Sequence, residues 1–291
     1  MMEHIGKSLD RMELKRKLTI IKRDDVQTDH HPATQPVEKE CSICKDAGWT
    51  KKDEFGPETG YKSILIPCPI CTPIRRAKQS EVMQARLVDR LFGGSQIPYK
   101  ARAWEFSTFP SDGDQLARAK VEHFVQIHRD MLDEMSKRGL YLAGALGRGK
   151  SGLSICALKE FMRAGHLSLF VSAPELMDRL RATFGKDSDE SQDELLKVIT
   201  QVPFLVLDDL GVEKPTVYVL ERLYLIIDKR QRDGLYTIFS SNLSTPNLEE
   251  YWRPVGLNED DFYPGLRIIE RIREYCIGVS IKGRNLREVG W

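Results

Sequence analysis

The sequence contains no long hydrophobic run, almost no net charge and no aromatic ladder. No apolar stretch approaches the roughly 20 residues that a helix needs to cross a bilayer, and the charged N-terminus is unlike a secretory signal peptide. The formal net charge is +1, so bulk charge gives no indication of a nucleic-acid partner. Aromatic residues make up 8% of the chain and are scattered. We therefore expect a globular protein without a membrane partner.

Cysteine is also sparse, and its spacing favours metal binding over disulfides. Of six cysteines, four form two C-x-x-C pairs, Cys41 with Cys44 and Cys68 with Cys71. Inside a cell such pairs are typical of metal sites, and four thiolates suit a tetrahedral Zn²⁺. Redox pairs are the main alternative, but two pairs so close along the chain favour structural zinc. We expect a cytoplasmic protein with a zinc module over residues 41–74.

A phosphate-binding loop is complete at residues 144–151, which read Gly-Ala-Leu-Gly-Arg-Gly-Lys-Ser. An apolar run precedes this P-loop and a run with helical spacing follows it, which is the required strand, loop and helix context. Lys150 would reach the β and γ phosphates of ATP, and the hydroxyl of Ser151 would ligate Mg²⁺. The predicted nucleotide-binding residues of this segment are Gly144, Gly147, Arg148, Gly149, Lys150, Ser151 and Gly152.

Acidic and amide side chains follow two later apolar segments. The run 204–207 leads directly into Asp208 and Asp209, a Walker B pattern. We expect Asp208 to hold Mg²⁺ and Asp209 to act as the general base that orients the attacking water. The run 236–239 leads to Asn242, whose amide could contact the γ phosphate or that water. Taken alone, the acids could be solvent-facing turn residues and Asn242 a helix cap; the upstream P-loop favours function.

From residue 97 onward, strand-like and helix-like segments alternate. Apolar runs at 140–143, 167–171, 204–207, 236–239 and 277–281 predict five strands separated by helices. Such alternation is typical of an α/β domain with a mainly parallel sheet covered on both faces. The predicted organisation is a basic amphipathic helix (1–23), a linker (24–40), the zinc module (41–74), a connecting helix and linker (75–96) and this α/β domain (97–291). Whether helix 1–23 packs on the protein or binds a partner stays open.

The order of the motifs resembles the DnaC/DnaI/IstB group of AAA+ ATPases. The resemblance covers about residues 95–288 and rests on the P-loop, Leu-Asp-Asp-Leu-Gly at 207–211 and Ser-Ser-Asn-Leu-Ser at 240–244. It implies an AAA+ P-loop core of five strands in which the P-loop strand and the Walker B strand are not adjacent. Because only ten residues follow the fifth predicted strand, we expect no C-terminal helical lid.

The resemblance also implies two arginine roles. Glu270-Arg271-Ile272 resembles the segment whose arginine enters the ATP site of a neighbouring subunit. Arg267, one helical turn earlier, is a competitor for this role, and a surface arginine paired with Glu is the structural alternative. Arg287 resembles the C-terminal sensor arginine of the group.

The functional expectation is an ATP-dependent loader of a hexameric replicative helicase onto single-stranded DNA, using ATP, Mg²⁺ and Zn²⁺. A zinc module before such a core most resembles DnaI-type loaders, so the N-terminal region is expected to hold the helicase. The ATPase domains would self-associate into a ring or spiral. Asp209 is shorter than the Glu common in AAA+ proteins, which predicts slow hydrolysis with ATP as an assembly switch. The alternative is an IstB-like ATPase that assists DNA transposition.

Overall fold

The computed structural model describes residues 41–45, 47–56, 60–129, 138–184, 191–255 and 264–289. The chain divides into two compact units, Met1–Gln84 and Ala85–Trp291. The predicted amphipathic helix over 1–23 and the linker over 24–40 lie outside the described residues. Among the helices that the structure describes, none combines the length and the apolar character needed to span a membrane.

A β-hairpin and the start of a long helix follow the first C-x-x-C turn in the described part of the first unit. Strands β1 (Trp49–Gly56) and β2 (Gly60–Pro67) pair antiparallel, with Trp49 opposite Pro67. Helix α1 (Cys71–Phe92) begins at the last cysteine of the second C-x-x-C pair, four residues before the predicted connecting helix. The division between the two units falls within this helix.

The second unit alternates strands and helices as the periodicity predicts. Its strands are β3 (Gly139–Ala143), β4 (Ser168–Ser172), β5 (Phe204–Asp208), β6 (Tyr236–Ser241) and β7 (Cys276–Ser280). Its helices are α2 (Gln115–His128), α3 (Lys150–Arg163), α4 (Ala173–Ala182), α5 (Gln192–Gln201), α6 (Val217–Arg232), α7 (Thr245–Trp252) and α8 (Pro264–Tyr275). Short 3-10 turns lie at Tyr99–Ala103, Phe106–Thr108 and Leu286–Val289. The strand positions agree with the prediction to within two residues, whereas α2 was not predicted.

The five strands form one parallel sheet in the order β4-β5-β6-β3-β7. The prediction of a five-stranded parallel sheet is confirmed, and so is the separation of the P-loop strand β3 from the Walker B strand β5. Strand β6 lies between them, with Ser241 in register with Ala143. Because parallel strands end at one edge of a sheet, β3, β5 and β6 bring their following residues together there.

Apolar side chains bury both faces of the sheet. On β5, Leu205 and Leu207 belong to one core cluster, which includes residues of α4 to α8, while Phe204 and Val206 belong to a second cluster with α2 and α3. Alternate residues of a strand point to opposite faces, so this division places helices on both sides. Each fully buried aliphatic side chain contributes about 2 kcal/mol of hydrophobic free energy. The sheet edge that carries the polar residues therefore rests on a densely packed layer.

Candidate nucleotide and zinc sites

Glycines give the P-loop its path between β3 and α3. Gly147 and Gly149 have φ angles of +74° and +90°, in the left-handed region that glycine adopts without strain. At Gly144 a Cβ would lie 2.5 Å from the carbonyl oxygen of Ile281, so a larger residue would displace the neighbouring backbone. The loop ends at the amino terminus of α3, whose first-turn N–H groups and dipole favour an anion.

Lys150 directs its charge into this loop. The side chain is buried, and Nζ donates to the carbonyl oxygens of Gly144 (2.8 Å) and Ala145 (3.0 Å) and to Oδ1 of Asn242 (2.8 Å). Burial lowers the pKa of Lys150, while the negative charges of Asp209 and Asp208 oppose that shift. Lys150 and Asn242, predicted as parts of one site from distant segments, are therefore in direct contact. Of the other predicted loop residues, Ser151 and Arg148 are half-buried and Gly152 is buried in α3.

Asp208 ends β5 as a buried carboxylate with two hydroxyl partners. It accepts hydrogen bonds from Ser240 and from Ser151. Burial raises the pKa of Asp208, and the neighbouring Asp209 adds to the rise, whereas both serine hydroxyls lower it. A carboxylate beside a P-loop hydroxyl supplies the hard oxygen donors that Mg²⁺ takes next to nucleotide phosphates. The donor set fits Mg²⁺.

Asp209 has an uncommon backbone conformation. Its φ angle is +56°, in the left-handed region, which costs a non-glycine residue about 1–3 kcal/mol. The Asp209 N–H donates to Ser240 Oγ at 3.1 Å, and the Leu210 N–H donates to the Ser240 carbonyl oxygen at 2.8 Å. These two hydrogen bonds to Ser240, at the end of β6, therefore stabilise the turn that follows Asp208.

A buried acid, Glu213, accepts a backbone hydrogen bond within the turn that follows Asp209. Both carboxylate oxygens of Glu213 accept from the N–H of Gly211, at 3.1 and 2.9 Å. Only 4% of Glu213 is exposed, and burial raises its pKa to about 7. Glu213 was not predicted as a site residue, although an acid within an apolar, glycine-containing turn is a detectable signal.

The segment after β7 packs on the P-loop. The Leu286 N–H donates to the carbonyl oxygen of Gly147 at 2.7 Å, and a Cβ on Gly147 would lie only 1.7 Å from Oδ1 of Asn285. Arg287 is exposed, and its charge is close enough to Lys150 to lower the pKa of that lysine. The structure thus places Arg287 beside the predicted nucleotide site. Its sensor role stays a prediction.

Arg271 lies on α8 and contacts side chains of α6 and its own helix. Its Nε is 3.2 Å from Oδ1 of Asp228, and its Nη1 is 3.1 Å from Oε2 of Glu274. A hydrogen bond with Tyr224 is the largest cause of a raised pKa for Arg271. Arg267, one turn earlier on α8, is exposed. These contacts tie Arg271 to α6 and α8, and the trans-acting role stays a prediction.

The four predicted metal-binding cysteines converge in the first unit. Their Sγ atoms all lie within 4.8 Å of one another, with Cys41 3.8 Å from Cys68 and Cys44 3.4 Å from Cys71. Zn–S bonds of about 2.3 Å in a tetrahedron require sulfurs about 3.8 Å apart, so the set fits Zn²⁺. The hairpin accounts for the long gap between the pairs, because the Cys68 N–H donates to the Gly48 carbonyl oxygen at 2.9 Å.

Backbone N–H groups surround the cysteine sulfurs. The N–H of Gly48 donates to Cys44 Sγ at 3.3 Å, and the N–H of Cys71 donates to Cys68 Sγ at 3.5 Å. A hydrogen bond from the Cys44 backbone is the main cause that lowers the pKa of the Cys41 thiol to about 6, whereas hydrogen bonds with Cys41 and Cys44 raise the pKa of the Cys71 thiol. Backbone N–H bonds of this kind stabilise thiolates, the ligating form of cysteine. These four cysteines, all within the described part of the chain, could hold a zinc ion.

The second unit has the fold of the AAA+ P-loop ATPases. The strand order, the P-loop between β3 and α3 and the acids after β5 together define this class. No family model matches the chain.

Several curated proteins are similar in sequence, among them two helicase loaders and an insertion-sequence protein. The replicative helicase loader DnaI of Bacillus subtilis (strain 168) is 27% identical over 178 residues, 61% of this chain and 56% of that protein. The replicative helicase loader DnaC of Escherichia coli (strain K12) is 24% identical over 63% of this chain and 72% of its own length. A putative ATP-binding protein of insertion sequence IS5376 from Geobacillus stearothermophilus is 24% identical, over 73% of this chain and 78% of that protein. The chain spans little more than half the length of the DnaI protein.

Solved structures support the same class. The crystal structure of DnaI matches with a TM-score of 0.53 and 29% identity, covering 65% of this chain and 94% of that one. The DnaC helicase loader matches with a TM-score of 0.52 and 21% identity, over 64% of this chain and 100% of that one, which shows the fold alone. The predicted resemblance to this group is confirmed.

Proposed function

We propose that the protein is an ATPase that loads a replicative DNA helicase onto single-stranded DNA, with ATP acting as an assembly switch. The observation that carries the proposal is a nucleotide site assembled on an AAA+ fold whose sequence relatives include two named helicase loaders. In this site Lys150 would hold the phosphates, Ser151 and Asp208 would hold Mg²⁺, and Asp209 would orient the attacking water. Asn242 would contact the γ phosphate or that water, and Arg287 would act as the sensor arginine that the family resemblance implies. Contact with DNA rests on the family resemblance.

Exposed apolar side chains, interspersed with Lys51, Asp53 and Ser63 on one face of the hairpin, support a partner-binding role for the first unit. Trp49, Phe55, Tyr61 and Leu65 are each more than half exposed. The register pairs Phe55 with Tyr61 and Trp49 with Pro67, and side chains of directly opposite residues share one face of the hairpin. Exposed aromatic clusters of this kind are enriched at protein interfaces. The replicative helicase is the proposed partner of this surface.

Helicase capture tests the loading function. The full chain, immobilised with bound zinc, is expected to retain the replicative helicase of its host, and ATP is expected to change the amount retained. Replacing all four cysteines by Ser should abolish capture, whereas Cys156→Ser, outside the cluster, should not. Failure to retain the helicase with or without ATP, by a chain that still binds ATP, would contradict the loader function.

Self-association around ATP is the second part of the proposal, with Arg271 entering the neighbouring site. Arg271→Ala and Asp209→Asn are each expected to stop hydrolysis but not ATP binding. An equal mixture should recover roughly a quarter of the wild-type rate, because random assembly places an intact arginine beside an intact acid at that fraction of interfaces. Steady-state ATPase rates of the mixture measure this. If mixing restores nothing, Arg271 is a structural partner of Asp228, and the same mixture with Arg267→Ala tests the competitor.

A transposition ATPase is the alternative, favoured by the match to the insertion-sequence protein over 73% of the chain. It predicts the same nucleotide site. The two functions separate in the capture experiment, because a transposition ATPase would retain a transposase and leave the helicase unbound.

A further inference from the structure

Ser240 occupies a position that links the two predicted Walker B acids. It lies on β6 with none of its surface exposed. Its hydroxyl donates to Oδ1 of Asp208 and accepts from the backbone N–H of Asp209 at 3.1 Å. One oxygen atom therefore connects the side chain of the first acid to the main chain of the second.

We propose that Ser240 is a positioning residue, which orients Asp208 for Mg²⁺ and Asp209 for the attacking water. This rests on the proposed ATPase function of the site. Both hydrogen-bonding directions of the hydroxyl are used within the protein, so Ser240 acts through the acids and not by touching nucleotide. Strand β6 lies between β5 and β3. The end of this strand therefore contacts Asp208 and Asp209 through Ser240, and the residue that follows it, Asn242, contacts Lys150.

The conformation of Asp209 explains why this hydroxyl matters. At a φ angle of +56° the residue is strained, and such a conformation persists only where surrounding contacts hold it. Ser241 supports the following peptide, because its hydroxyl donates to the Leu210 carbonyl oxygen at 2.6 Å, but that bond does not reach either carboxylate. Without the Ser240 hydroxyl, the Asp209 N–H loses its partner and Asp208 loses a donor that fixes its carboxylate plane. Ser151, the remaining donor to Asp208, is itself a proposed Mg²⁺ ligand.

An effect of Ser240 on Mg²⁺ binding can be measured separately from an effect on direct nucleotide contact. Binding of a fluorescent ATP analogue to the full chain is measured in EDTA and across a Mg²⁺ titration, together with steady-state hydrolysis. In Ser240→Ala the Mg²⁺ concentration at half-saturation is expected to rise about tenfold and kcat to fall about tenfold, the effect of losing one hydrogen bond to a charged group. Affinity in EDTA, which depends on Lys150, should stay within about twofold of wild type.

Ser168→Ala is the matched control. Ser168 is also buried on a strand of the sheet, but its hydroxyl donates to the His166 carbonyl oxygen at 2.9 Å, at the amino end of β4. This variant should match wild type in all three measurements. Ser240→Cys, which keeps a polar γ atom but is slightly larger and offers only a weak donor, is expected to behave like Ser240→Ala and provides the test if the alanine variant does not fold.

Two results would overturn the proposal. A folded Ser240 variant could show the Mg²⁺ dependence and kcat of the Ser168→Ala control, or its affinity in EDTA could fall as far as its affinity with Mg²⁺. Absence of Mg²⁺-dependent nucleotide binding by the wild-type chain is a different failure, because it contradicts the proposed ATPase function itself and with it the role of Ser240.

Discussion

At the scale of single residues, the nucleotide site is a set of polar groups whose hydrogen bonds are satisfied inside the protein. Lys150 bridges the P-loop and Asn242, while Ser240 bridges Asp208 and Asp209. Buried polar groups that lose one partner carry a large desolvation penalty, so single substitutions here are expected to act on function and stability together.

Glu213 makes stability depend on pH. Its pKa of about 7 lies above the value of 4.5 for an unperturbed Glu, because burial disfavours the charged carboxylate. Between these pH values the native state binds a proton that the unfolded state has released, so the unfolding free energy falls as pH rises. We expect a loss on the order of 3 kcal/mol as pH rises from 4.5 through the native pKa of about 7, complete about one pH unit above it.

Urea unfolding of wild type and Glu213→Gln across this range measures the effect. The variant lacks the titrating carboxyl, so its stability should decline less with rising pH, and the two curves should run parallel above about pH 8. Glu221→Gln, at an exposed position on α6, is the control and should follow wild type. Parallel curves for wild type and Glu213→Gln throughout the range would show that Glu213 does not titrate there.

Residue types that chemistry requires at fixed spacing could be predicted from the sequence. The P-loop glycines, Lys150, Asp208, Asn242 and the four cysteines were all predicted in this way, and the structure brings each set together. Ser240 and Glu213 could not be assigned, because their roles depend on which strand neighbours β5 and on a turn whose φ values the sequence does not specify. Serines at the end of an apolar strand were the available signal.

At the scale of secondary-structure elements, hydrophobic periodicity predicted all five strands of the large unit. Their runs are short and apolar because both faces are buried, which is a strong signal in a parallel sheet. Helix α2 was not predicted from the segment between the start of the unit and the P-loop. Helix α1 begins earlier than expected because the second C-x-x-C turn leads directly into it.

The segment after β7 also shows what periodicity cannot reveal. Leu286 and Asn285 pack on Gly147, and the Lys282 N–H donates to Oδ2 of Asp114 at 2.7 Å. These contacts join parts of the chain far apart in sequence, and they bring Arg287 near Lys150. The family resemblance indicated Arg287, whereas the packing of its segment against the P-loop required the structure.

At the scale of the whole molecule, one chain carries two candidate sites of different chemistry, a cysteine cluster and a nucleotide site. Thiolates in the first unit fit a structural zinc, and the AAA+ unit carries oxygen donors that fit Mg²⁺ and a loop that fits phosphates. A bound nucleotide can change partner affinity only through a difference in its own affinity between two states of the protein. The proposed assembly switch therefore requires that ATP binds the self-associated state more tightly. The switch and the loading function both require that ATP binds at the P-loop.

ATP affinity of Lys150→Ala is the measurement that tests this claim most directly. Titration of the full chain with a fluorescent ATP analogue and Mg²⁺ should show saturable binding for wild type. Loss of the buried ammonium, a hydrogen-bonding charge, should weaken binding by at least about tenfold. Lys159 lies on the same helix as Lys150 but forms an ion pair with Glu105. The control variant Lys159→Ala should therefore bind ATP like wild type. Equal affinity of Lys150→Ala and wild type would contradict the proposed nucleotide site.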